Sequence, residues 1–145
     1  DLHLSLRRQR QMCIRDRFGT SADLEVSRII IEQFEAGSIH DFTGSTNIMQ
    51  FVMAVQSCAV VISNDCGGLH LSNAMGVPTV GLYGPTNPVN THPVFNSPVR
   101  VVQPAGCPKY GGHSPRDISL PQVFEAVFDL VHQPESAASE ATLIS

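Results

Sequence analysis

Six consecutive residues, Asp65-Cys66-Gly67-Gly68-Leu69-His70, bring a carboxylate, a thiol, two glycines and an imidazole together. Three chemistries are open to such a group. A cysteine at the start of a helix has its thiolate favoured and can act as a nucleophile, but no separate histidine and acid pair for Cys66 is identifiable. Cys66 and His70 are four residues apart and could share a helical face as metal ligands with Cys58 or His113, yet the spacing matches no zinc pattern. The third is anion binding. Two glycines between a strand and a helix let the backbone approach a ligand and leave N–H groups unpaired, and a helix start favours phosphate through its dipole and its donors. His70, one turn in, adds a hydrogen bond or a charge to the same group. Asp65 would repel a phosphate unless it is turned away, so it is expected to cap the helix or bind a sugar hydroxyl.

The elements that must position these residues follow from pattern. Apolar "CAVVIS", residues 58–63, has the length and valine content of a strand buried on both faces of a parallel sheet. "LHLSNAMG" allows about two helical turns closed by Gly76, with Pro78 just beyond. "PTVGLYG" is a second buried strand, and Pro- and Asn-rich 85–98 reads as a long surface loop in which Thr86 and Asn87 face the crevice. Upstream, 21–36 is an amphipathic helix with Val26, Ile29, Ile30, Gln33 and Phe34 inward, and "IHDFTG" is a short strand or loop. Ser45 or Thr46 then caps a helix with Ile48, Phe51, Val52 and Val55 on its inner face. Downstream come a short strand, "VRVVQ", and a solvated loop, 104–117, offering Lys109, Tyr110 and His113. Ser119 and Pro121 open a last helix with Leu120, Phe124, Val127 and Val131 inward, and 134–145 is a flexible tail. Alternating strands and helices with short connections give an α/β class with a Rossmann-like parallel sheet. Its ligands lie beyond the carboxyl ends of the strands, where "NDCGG" and "GPTNP" both fall.

Residues 1–17 fit none of this. They hold five of the nine basic residues and match neither periodicity. Arg7–Arg17 resemble the translated tail of a transposase-type sequencing adapter, and Asp1–His3 its flow-cell primer, with Leu4–Leu6 as an index between them. They are therefore expected to be non-native, with the true N-terminal part of the protein missing. A basic arm for nucleic acid or membrane is the alternative that this match displaces. Residues 18–145 carry 4 basic and 11 acidic side chains, a formal charge of −7 that disfavours nucleic acid as a partner. There is no run of about 18 apolar residues and no basic-then-apolar start, so the expected location is the cytoplasm. Cysteines 13, 58, 66 and 107 form no CxxC pair and are expected to be free thiols.

"VISNDCGGLHLSNAMGVPTVGLYGPTNP" resembles glycosyltransferase family 9, the ADP-heptose:lipopolysaccharide heptosyltransferases and their relatives, whose pattern runs SND(S/T)GxxHLAxALGxPxVxLFGPTxP. Ser63, Asn64, Asp65, Gly67, His70, Leu71, Ala74, Gly76, Pro78, Leu82, Gly84, Pro85, Thr86 and Pro88 fall in register, and "DFTGSTNIMQFVMAVQSCAVVIS" is similar to the segment before it. The resemblance spans about residues 18–133. It implies most of the C-terminal, donor-holding domain of a GT-B enzyme, with the N-terminal domain and the first strand of this domain lying upstream. The expected reaction is an inverting, metal-independent transfer of a sugar, heptose by analogy, from an ADP-sugar to a lipid-linked saccharide acceptor of lipopolysaccharide-core type. No cofactor or metal is expected. The catalytic base would come from the missing N-terminal domain, through which peripheral contact with the inner membrane face would also be made, and the fragment alone is expected to be inactive.

By the same resemblance, Cys66, Gly67, Gly68 and His70 would hold the donor diphosphate, with Asp65 on the donor sugar side. Thr46 would line the nucleoside pocket and Glu25 would reach the ribose. Cys66 departs from the family pattern by replacing a hydroxyl. Two other readings are a nucleotide-sugar-binding module without catalysis and a GT-B enzyme such as a nucleotide-sugar epimerase. An epimerase would need a catalytic carboxylate or histidine set that is not evident.

Overall fold

The computed structural model describes residues 15–132 other than 96. The expected tail and the expected foreign segment up to residue 14 lie outside the described residues. The chain divides into two compact units, up to Phe51 and from Val52 onward.

In the first unit, Arg15–Arg17, set aside from the fold in the sequence reading, form strand β1. It runs parallel to β2, Ile39–Asp41, with Arg17 opposite Asp41. Between them a 3-10 turn, Ser21–Asp23, leads into α1, Leu24–Ile31. The predicted helix over 21–36 is thus shorter and its inward face is wrong, since Val26, Ile29 and Phe34 are about half exposed. The buried residue of α1 is Ser27, a hydrogen-bond hub. Its Oγ accepts from Arg17 Nε at 2.7 Å and Thr43 Oγ1 at 3.1 Å, and donates to Asp41 Oδ2 at 3.0 Å. Polar anchoring of this kind leaves no periodic apolar signal. Phe18 stacks on Phe42 at 5.3 Å and meets Phe51 edge-on at 5.2 Å.

Helix α2 is Ile48–Gln56. Its N-cap is neither Ser45 nor Thr46. The Asn47 side chain accepts from Gln50 N while the Gln50 side chain accepts from Asn47 N, both at 2.9 Å, a reciprocal closure that needs a long amide three residues on. Neither Ser45 nor Thr46 has such a residue at the required spacing. Ile48 is exposed, and Val55 is the buried residue of α2.

The second unit carries the three-stranded parallel sheet β3-β4-β5, formed by Val61–Asn64, Thr79–Leu82 and Val99–Val102. β4 is central and buried along Thr79, Val80 and Gly81. β3 is paired on one side only and alternates in exposure, with Ile62 half exposed, so the reading of it as buried on both faces is corrected. The helices α3, Gly67–Ala74, and α4, Pro88–Thr91, lie in the two crossovers. α4 replaces part of the long loop read from the sequence. Its start is set by Asn87, whose side chain accepts from Val89 N at 2.9 Å, with Pro88 preset for the first helical position.

Helix α5, Leu120–His132, covers β5. Ser119 opens it as predicted, its hydroxyl and N–H both donating to Gln122 Oε1 at 2.8 and 3.1 Å. The inward face differs. Ala126 and Leu130 are buried with Val80 and Val102, flanked by Val123 and Val127, while Leu120, Phe124 and Val131 are exposed. α5 has apolar side chains on two faces, so periodicity alone cannot choose between them, and the sheet takes the face whose small Ala126 permits close approach.

Candidate functional site

The site begins where β3 ends. Neighbouring β3 and β4 run parallel with Asn64 opposite Leu82, so the loops that follow them leave the same sheet edge. Asp65 N donates to Leu82 O at 3.3 Å, extending that ladder by one residue. Cys66 is extended, φ −155° and ψ 176°, and the helical turn starts at Gly67. α3 is held tightly to the sheet through Leu69, fully buried over Gly81. A Cβ on Gly81 would meet Tyr83 at 2.7 Å and Leu69 at 3.2 Å, so only hydrogen fits. The other end of α3 closes as predicted at Gly76, with φ +81° and Val77 N donating to Ser72 O at 3.1 Å.

The start of α3 is not closed. Among the described residues, none accepts a hydrogen bond from the N–H groups of Cys66, Gly67 or Gly68, and no side chain caps the helix. A Cβ on Gly67 would meet nothing within 4 Å. Cys66 is exposed, its Sγ 3.4 Å from Ser63 Oγ. His70 is partly exposed, with Nε2 3.9 Å from Asp65 Oδ1. Unpaired N–H donors at the positive end of a helix, with an imidazole beside a carboxylate, make an arrangement suited to an anion rather than to nucleophilic attack. No three His, Cys, Asp or Glu side chains assemble as a ligand set among the described residues, so Cys66 and His70 gain no third ligand from Cys58 or His113 there.

Asp65 does not cap α3, which corrects one of its two expected roles. Its Oδ2 accepts from Thr91 Oγ1 at 3.0 Å, across the site from α4. Thr91 O in turn accepts from Tyr83 Oη at 3.2 Å. Burial, and next the Asp65 charge, push the Tyr83 phenol well above its ordinary range, so it remains a neutral donor. Sequence reasoning missed Thr91. The signal that could have found it is Asn87-Pro88, a cap-and-first-turn pair that places Thr91 one helical turn on.

Thr86 sits in the loop after β4, its Oγ1 buried and without a hydrogen-bond partner among the described residues. The third loop folds onto this one. Gly112 N and His113 N both donate to Gly84 O, at 2.9 and 3.1 Å, and a Cβ on Gly84 would lie 2.6 Å from Pro115 N. Gly111, at φ +81°, passes directly over the Thr86 carbonyl. Segment 104–117 is therefore locked by its backbone, while Lys109, Tyr110 and His113 are exposed.

The structure thus gathers Asp65, Cys66, Gly67, Gly68 and His70 at one sheet edge, with Thr86 in the adjoining loop. Glu25, exposed in the first turn of α1, and Thr46, just before the Asn47 cap, belong to the first unit.

The sequence model of "Glycosyltransferase family 9 (heptosyltransferase)" matches residues 8–111. The chain belongs to glycosyltransferase family 9. Among curated members of the family, it is 30% identical over 89 residues to lipopolysaccharide heptosyltransferase 2 of Salmonella typhimurium, a match covering 59% of this chain and 25% of that one. It is 31% identical over 81 residues to lipooligosaccharide heptosyltransferase 2 of Haemophilus influenzae, covering 53% and 23%. Two solved family 9 structures share the fold. One is the family 9 glycosyl transferase of Veillonella parvula, with a TM-score of 0.69, 31% identity and coverage of 80% of this chain and 36% of that one. The other is E. coli ADP-heptose lps heptosyltransferase II, with a TM-score of 0.70, 27% identity and coverage of 80% and 35%. The matches therefore span about a quarter of the length of these curated relatives. Among the described residues, no helix is long and apolar enough to cross a membrane.

Proposed function

We propose that this region is the donor-binding part of a glycosyltransferase that moves a sugar, heptose by family likeness, from an ADP-sugar to a lipopolysaccharide-core acceptor. The observation that carries this reading is the open start of α3, where three N–H groups lie without acceptors among the described residues and a Cβ on Gly67 would meet nothing within 4 Å. The donor diphosphate binds there. The reaction is an inverting displacement in which an acceptor hydroxyl attacks the anomeric carbon and ADP leaves, with the base supplied from elsewhere in the longer family chain. Fixed N–H donors and His70 stabilise the charge that gathers on the departing diphosphate, the role that a metal ion plays in other transferases. Asp65 borders the donor sugar and Thr86 lines the crevice. Cys66 contributes its N–H, since a thiol is a weak donor.

The test is calorimetric titration of the chain with ADP. The side chain in Gly67→Val would project into the space that the diphosphate occupies, and a Cβ there meets nothing within 4 Å. Gly67→Val and His70→Ala should both weaken ADP binding. Unchanged affinity in both variants overturns the assignment.

A further inference from the structure

An acid immediately before the first cap position is a hazard to an anion site. A carboxylate one residue before the cap position competes for the open N–H groups of α3 if it turns toward them, because helix starts attract carboxylates. In the structure it is turned away, because its Oδ2 takes the Thr91 hydroxyl at 3.0 Å. That hydroxyl has a second acceptor, Asn87 O, also at 3.0 Å, but only one proton. Asn87 O already receives the N–H groups of Asn90 and Thr91, each at 3.1 Å. The ionised carboxylate is the stronger acceptor, so the proton goes to Asp65. Thr91 is itself fixed, since its carbonyl accepts from fully buried Tyr83. With Oδ2 tied, Oδ1 is left facing His70 Nε2 at 3.9 Å.

We propose that Thr91 is a positioning residue that latches the Asp65 carboxylate away from the start of α3, keeping its N–H groups free for a nucleoside diphosphate and the carboxylate beside His70. This rests on the donor-site reading above. Without the hydroxyl, Asp65 swings toward the open N–H groups and competes with the incoming anion. The effect of Thr91 therefore depends on the Asp65 charge, which a merely structural role for Thr91 would not require.

The experiment is a double-mutant cycle read by ADP titration of the full chain. Thr91→Val should raise the ADP dissociation constant about five-fold, the scale of a helix-capping interaction, and Thr91→Ser should restore it. In an Asp65→Asn background, Thr91→Val should change nothing. Thr91→Ala, read in the same two backgrounds, keeps the test in place should valine fail to fold. An equal loss in both backgrounds, or no loss in either, overturns the latch. If Gly67→Val weakens ADP binding while Thr91→Val does not, the latch alone fails. If neither Gly67→Val nor His70→Ala has an effect, the donor-site reading fails and takes the latch with it.

Discussion

Four helical starts in this chain can be set side by side. The turn at Ser21 is closed by Thr20 and Asp23, whose carboxylate accepts both the Thr20 N–H and its hydroxyl at 2.8 Å. α2 is closed by Asn47 with Gln50, and α5 by Ser119 with Gln122. α3, with Cys66 at the cap position and Gly67 after it, is closed by nothing on its own segment. An uncapped helix start forgoes about 0.5–2 kcal/mol, and here the nearest acid is tied to another helix instead of filling the gap. The contrast separates starts closed by their own segment from one left open, the start proposed to take the donor.

The sharpest way to break this contrast is to block the open start. Gly67→Val should weaken ADP binding at least ten-fold by titration, with His70→Ala next, while thermal unfolding moves little for either. Closing the start chemically comes second. Cys66→Asp supplies the missing cap, so it should stabilise the chain by about 1 kcal/mol in denaturant melts and weaken ADP several-fold by occupying and repelling at the anion site. A gain in stability without a loss in affinity would mean that the open start is accidental. Third, the closed starts can be opened. Asn47→Ala and Ser119→Ala should each cost about 1 kcal/mol of stability and leave ADP affinity as it was.

The smallest effect is at Asp23, where hydrogen bonds from the Thr20 hydroxyl and N–H hold the carboxyl below its ordinary value of 3.8. The native state therefore binds that proton less readily than the unfolded chain. The stability it contributes is complete above about 3.8 and disappears as pH falls through the lowered native value. Asp23→Asn should flatten that part of an acid-unfolding curve and lower stability slightly at neutral pH, where the contribution of the charged carboxylate is complete.

Much of the second unit was legible from residue pattern. The valine-rich strands, the Gly76 closure and the adjacency of "NDCGG" and "GPTNP" follow from run length, turn chemistry and the rule for parallel sheets, and the family pattern coincides with them. What escaped was held by polar contacts or by choices between equivalent faces. Ser27 is buried through a polar network rather than by hydrophobicity. Asn47 outcompeted Ser45 and Thr46 because its partner Gln50 was correctly spaced. α5 chose the face with Ala126 over the one with Phe124. Thr91 is 26 positions from Asp65, a separation over which local pattern is silent.

The central claim is that a diphosphate binds the N–H groups opening α3. Its most direct test is to follow backbone amide signals of the isotope-labelled chain by nuclear magnetic resonance as ADP is added. The account predicts the largest, saturable shifts at Cys66, Gly67 and Gly68, with the capped starts at Gln50 and Gln122 unmoved. Shifts concentrated elsewhere, or none at Gly67 and Gly68 under saturating ADP, would contradict it.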